Sequence, residues 1–170
     1  ICIVGLDVGM NVFTPKLLIE NAELTKEIAS YGTSWYFAAR TLGTLCGVIL
    51  LAKFSEIYYY RINMFIVLIA LSCIYWIHSQ YIILLLVCII AFAMSSIFAV
   101  IYSLALHTLP YKTNEISGLM ITGISGGSII PPLMGVCADY TESQSGSILV
   151  MLICVIYLIL CSFHKFKTIH

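Results

Sequence analysis

The sequence predicts an all-α membrane protein, a bundle of six transmembrane helices. Three observations carry this expectation. The chain of 170 residues is 61% apolar and 9% charged, with a mean hydropathy of +1.05, whereas a soluble domain carries about 25% charged residues. Apolar runs of membrane-crossing length recur along the chain, and most charges collect between them. In lipid, backbone polar groups must pair within their own segment, so each run is expected to be helical. This composition excludes a water-soluble globular enzyme and a disordered chain. Lys+Arg 8 against Asp+Glu 8 leaves no basic field, which excludes nucleic acid as a partner.

In chain order the helices are expected at about 1–18, 31–52, 62–77, 81–106, 116–138 and 146–163. The third run is short and borrows Tyr58, Tyr59 and Tyr60 as an interfacial aromatic belt. Only Asp7, Lys16 and Arg40 bring charge inside the runs. Six crossings put both ends on one side. That side carries Lys53, Arg61, Lys112, Lys165 and Lys167. The other carries Lys16 and Lys26 with Glu20, Glu23, Glu27, Asp139 and Glu142. Short loops rich in Lys and Arg stay cytoplasmic, so both termini of the segment are predicted inside. Ile1 opens directly into an apolar run without a charged leader, so the chain reads as a piece of something longer rather than as a signal peptide. Seven cysteines lie in or at the ends of the runs without a C-x-x-C pair. They read as small hydrophobes, and neither metal nor cofactor is expected.

Two ionisable residues in the hydrocarbon zone need an account, because each costs roughly 2.5–3.5 kcal/mol at a helix centre. Asp7 precedes Glu20, at the far end of the first helix, by about 20 Å of helical rise, and Arg40 follows Ser30 by about 15 Å. The two helices form an antiparallel hairpin, so Asp7 and Arg40 are expected near one level close to the midplane. Either they line a polar cavity and hold a substrate or each other, or they form an ion pair that only orients two helices. Asp7, Asn11 and Pro15 share one face at i, i+4, i+8. On the second helix Tyr36 lies one turn from Arg40, and Ala39, Gly43 and Gly47 make a small-residue packing stripe. The fifth run, from Ser117 to Gly135, is the most irregular. Gly126 and Gly127 permit close helix approach, and Pro131 and Pro132 remove backbone donors, so a helix break is expected there. A glycine-rich packing surface is the alternative.

Gly123-Ile124-Ser125-Gly126-Gly127 matches the G-x-S-G pattern of rhomboid-type intramembrane serine proteases. That chemistry needs a histidine at the depth of the serine. His78, His107, His164 and His170 all fall at membrane edges or in the tail, so no catalytic residue is assigned.

With these residues in place, the whole chain resembles the C-terminal half of a major facilitator superfamily transporter, most closely the fucose permease branch of sugar–proton symporters. Gly5-Leu6-Asp7-Val8-Gly9 is similar to the family's Gly-x-acid/amide-x-Gly in helix seven. Ala39-Arg40-Thr41-Leu42-Gly43-Thr44 is similar to its Gly-Arg-x-x-Gly-Thr in helix eight. The stretch from Gly126-Gly127-Ser128-Ile129-Ile130-Pro131 through Pro132 and Gly135 to Asp139 resembles the pattern of helix eleven. Phe98-Ala99-Val100-Ile101-Tyr102-Ser103-Leu104 partly matches helix ten, with Ala99 and Val100 in place of Pro and Thr.

The resemblance implies a fold of half a transporter, its N-terminal half lying outside this chain, and alternating-access transport of a monosaccharide such as fucose, glucose or galactose. It implies proton coupling, residence in the bilayer of a bacterial inner membrane, and substrate contacts from Arg40, Asn11, Phe98, Tyr36 and Tyr102. The family's main proton-carrying acids lie in the other half, so Asp7 is expected to pair with Arg40 or serve ion coupling. A structural or decayed membrane protein with no transport path is the reading from another class.

Overall fold

The computed structural model describes residues 1–22, 26–77 and 79–165. Glu23, His78, Lys167 and His170 lie outside the described residues, as do the side chains of Lys26, Glu27, His164 and Lys165. Among the described residues all regular structure is helical: α1 (Cys2–Ala22), α2 (Lys26–Leu51), α3 (Glu56–Trp76), α4 (Gln80–Met94), α5 (Ile97–Thr108), α6 (Thr113–Ile124), α7 (Gly126–Thr141) and α8 (Ser145–Lys165). A single 3₁₀ turn, Pro110–Lys112, joins α5 to α6. These build six spans long and apolar enough to cross a membrane, with α4 and α5 forming the fourth and α6 and α7 the fifth. The protein is thus an all-α, multi-pass membrane protein.

Packing orders the helices as a ring, α1–α2–α4–α3–α8–α7 and back to α1, with α1 also reaching α4 and α8 across its interior. The core repeats at alternating steps of three and four. Leu6, Met10, Phe13 and Leu17 face inward from α1, Met64, Val67, Leu71 and Ile74 from α3, Ile83, Val87, Ile90 and Met94 from α4, and Ile148, Met151, Val155 and Leu158 from α8. This spacing suits the shallow left-handed crossings common among membrane helices. Because lipid is as apolar as leucine, the fit of these seams and the polar ties between helices hold the bundle together. At one end of the bundle, Arg61 Nε donates to Ser162 Oγ at 3.1 Å and Nη2 to the Ser162 carbonyl at 3.2 Å. Ser103 Oγ there donates to Glu56 at 2.7 Å, and Tyr60 donates to the Leu158 carbonyl. At the other end, the Glu20 carboxylate accepts from Ser143 Oγ at 2.8 Å and from the Gln144 backbone N–H. It thereby ties α1 to the α7–α8 turn, where Glu142 adopts the left-handed conformation.

Helix limits differ from the sequence-based ranges where capping outweighs apolarity. The third helix begins at Glu56 because Ser55 caps it, its side chain accepting from the Tyr58 N–H, so Arg61 is helical. The fourth span, expected to be one helix, is interrupted at Ser95–Ser96. Ser95 Oγ donates to the Phe92 carbonyl at 2.8 Å, a local bond that competes with the helix ladder. Gly43 and Gly47 of α2 press on this spot. A Cβ at Gly43 would lie 2.6 Å from Ser95 Oγ, and one at Gly47 would run into Ser96.

The fifth span is interrupted at Ser125, six residues before Pro131, and not at the proline pair. Pro131 and Pro132 sit inside the continuous helix α7. The turn at Ser125 closes through 3₁₀ bonds, from the Ser125 N–H to Thr122 and from the Ser128 N–H to Ser125. The backbone of Ile1 lies directly on Gly126, where any side chain would collide with it. Close packing on glycine, rather than loss of proline donors, places this break.

Candidate functional site

The site grows from two adjacent helices. Pro15 has no N–H, so the carbonyl of Asn11 loses its donor within α1, on the face that also carries Asp7. Asn11 itself is half-buried there. On α2, Tyr36 and Arg40 are one turn apart and point the same way. Tyr36 is fully buried, and its hydroxyl donates to Asp7 Oδ1 at 2.6 Å and lies 3.1 Å from the Asp7 carbonyl oxygen. Arg40 Nη1 donates to Asp7 Oδ2. Both oxygens of the carboxylate are therefore engaged, one by a neutral donor and one by a cation.

The two charges are not equally enclosed. The side chain of Asp7 is 16% exposed and that of Arg40 35% exposed. Tyr36 closes the site from behind. The guanidinium keeps Nε and Nη2 without a partner among the described residues. Three N–H donors of the fixed fork are thus left over by the carboxylate. A charged pair at this depth is costly unless each charge is matched and hydrogen-bonded, and both conditions are met here.

The other residues singled out by sequence take different places. Phe98 is half-buried on α5, roughly 15 Å from the end of that helix. Arg40 lies roughly 16 Å from the end of α2 on the same side, so the two are level. Tyr102 is nearer that end, and its hydroxyl pairs with Ser117 Oγ at 2.8 Å, linking α5 to α6. Gly127 lies beside Val4 and Val8 of α1, so Gly126 and Gly127 serve the contact of α1 with the fifth span. Ser125 donates its hydroxyl to the Thr122 carbonyl at 2.6 Å, which is no arrangement for a nucleophile. Among the described residues no three His, Cys, Asp or Glu side chains converge to hold a metal ion.

Sequence reasoning missed the double role of Tyr36, which contacts Asp7 rather than open space. The i, i+4 spacing of Tyr36 and Arg40 held the signal, because two donors one turn apart can grip one carboxylate on a neighbouring helix. It also missed the buried polar spot of Ser95, Ser96 and Tyr59. Small residues facing the Gly43–Gly47 stripe were the available clue.

The fold and site define a multi-pass helical membrane protein that holds a charged pair inside its spanning bundle. Two curated proteins are similar to it. One, named "Putative glucose/galactose transporter", from Helicobacter pylori (strain ATCC 700392 / 26695), is 27% identical over 170 residues, covering 96% of this chain. Its namesake from Helicobacter pylori (strain J99 / ATCC 700824) is 26% identical over the same share. The chain spans about two fifths of the length of these relatives, 41% in each case. No family model matches the chain, and no solved structure matches it.

Proposed function

We propose that this chain is the C-terminal half of a sugar transporter of the major facilitator type, carrying a hexose such as glucose or galactose by alternating access. It is a transport protein rather than an enzyme. The observation that carries the reading is the Asp7–Tyr36–Arg40 cluster: a fixed carboxylate grips one arm of a half-exposed guanidinium and leaves the other donors free. Sugar hydroxyls accept from such a fork. Asn11, with its side-chain amide and freed carbonyl, adds donors and acceptors one turn along α1, and Phe98 offers an aromatic face for the apolar side of the ring. The names of the two relatives support a sugar as cargo.

In this reading the other half packs against the two spans that bury least within the chain, the second and the fifth. The substrate then lies at the midplane between the halves, as in other repeat-built transporters. A co-transported proton is carried by the other half, while Asp7 stays paired to Arg40. The end bearing Lys53 and Lys112 faces the cytoplasm of a bacterial inner membrane, with both termini of the segment on that side.

Radiolabelled hexose uptake by cells expressing the full transporter tests this. Arg40→Ala is expected to lower uptake at least tenfold while membrane insertion, followed by immunoblot of washed membranes, stays normal. Undiminished uptake in that variant would overturn the assignment and favour a purely structural ion pair.

A further inference from the structure

Helices α2 and α3 are joined by the short turn Ala52–Ser55, yet they barely touch along their lengths, while both pack closely on α4. In the ring α4 stands between them, and the helices that do neighbour one another there are all in close contact. The wedge left open is a groove of about 670 Å³, floored by Phe92 and Ile89 of α4 and walled by Leu42 and Cys46 on one side and Ile62 and Ile66 on the other. It runs for roughly 16 Å along α2, from Leu50 to Ala39. A void of this size and polarity in a bilayer does not stay empty, and water has almost no partners in it.

Three features at its mouth select the occupant. Lys53 is exposed in the turn and makes no ion pair among the described residues. Phe54 and Tyr58 flank the opening as interfacial aromatics, with ring centroids 6.4 Å apart. Beyond them the lining is almost wholly apolar, with Tyr59 burying its hydroxyl beside Gly47 and Ser96. A cation at the surface, an aromatic pair at the interface and an apolar trough beyond them match, in order, a phosphate, the glycerol-ester region and a hydrocarbon chain.

We propose that the α2–α3 groove binds one phospholipid of the leaflet that meets Lys53. Its phosphate rests on Lys53, its glycerol-ester region lies beside Phe54 and Tyr58, and one acyl chain lies along Ile62 and Ile66. This lipid fills the wedge between α2 and α3 over α4, whatever cargo the bundle carries.

The test reconstitutes the full chain in phosphatidylcholine vesicles doped with a phosphatidylglycerol that bears a diazirine on one acyl chain. After irradiation, labelled peptides are mapped by mass spectrometry. Label is expected to concentrate on Leu42, Ile62 and Ile66, at least fivefold above Ile153 and Leu160 of α8, which are 65% and 62% exposed. Ile62→Trp, which fills the trough, is expected to cut groove labelling at least fivefold and leave α8 labelling unchanged. Cys46→Phe serves the same purpose if Ile62→Trp does not elute as a single folded species. Lys53→Ala is expected to weaken groove labelling about threefold. A diazirine fatty alcohol, which lacks the phosphate, is expected to label the groove no better than it labels α8. Even labelling of groove and α8 by the phospholipid would overturn the proposal. So would equal groove labelling by the fatty alcohol, retention of label in a folded trough-filling variant, or cross-links from the groove to a second copy of the chain.

Discussion

Asp7 is the residue whose surroundings decide most. Its two oxygens are shared between Tyr36 and Arg40, so removing either charge leaves the other without its match inside the bundle. Losing one partner of a fully buried pair costs about 3–5 kcal/mol, and partial exposure of this pair lowers that to about 2. Replacing both charges together leaves no orphan. Asp7→Asn and Arg40→Gln alone are each expected to lower the thermal midpoint in detergent, while the double variant recovers most of the loss. A coupling energy near zero in this cycle would show that the two side chains do not support one another. Tyr36 contributes differently: buried and neutral, it fixes the carboxylate and adds no charge of its own.

At the scale of elements, two of the six spans are not single helices. The fourth turns at Ser95–Ser96 and the fifth at Ser125. In both, a serine hydroxyl bonds a carbonyl three residues back, Ser95 to Phe92 and Ser125 to Thr122. In both, glycine allows another backbone or side chain to press into the turn, with Gly43 and Gly47 meeting the fourth span and Gly126 receiving Ile1. The close approach of α2 to α4 therefore depends on the missing side chain at Gly47. Gly47→Leu is expected to push Ser96 away and destabilise the bundle by about 1–3 kcal/mol, the usual cost of overpacking. The thermal midpoint of the purified variant reads this. Ile153→Ala on α8 is the comparison, because that side chain is 65% exposed.

For the molecule as a whole, charge is divided between two ends. Lys53, Arg61 and Lys112 lie at one end, beside Glu56 and Glu115, and Glu20, Asp139 and Glu142 at the other, beside Lys16. Orientation follows the cations of short loops. In a cysteine-free background, Lys112→Cys is expected to resist a membrane-impermeant maleimide in intact cells and to react once the cells are opened. Glu142→Cys is expected to react in both. The opposite pattern would invert the topology and move the proposed lipid to the other leaflet. The second and fifth spans expose long apolar rows, Leu45, Val48 and Ile49 on α2 and Leu119 and Ile121 on α6. These rows suit either lipid or the apolar side of a second half.

The sequence by itself determined the solvent, the number of crossings and the identity of the central pair. Each follows from the cost of putting charge or unpaired backbone in hydrocarbon, a penalty large enough to be read one residue at a time. The shared level of Asp7 and Arg40 was equally legible, because helical rise fixes depth once two ends are known. Only the tertiary structure decided that Tyr36 is the second donor to Asp7, that Tyr102 is tied to Ser117, that the helices break at serines rather than at Pro131 and Pro132, and that α2 stands apart from α3. These features depend on which helix lies beside which. Apolar spans interchangeable in their affinity for lipid carry little record of their neighbours, so contact between seams settles what hydropathy leaves open.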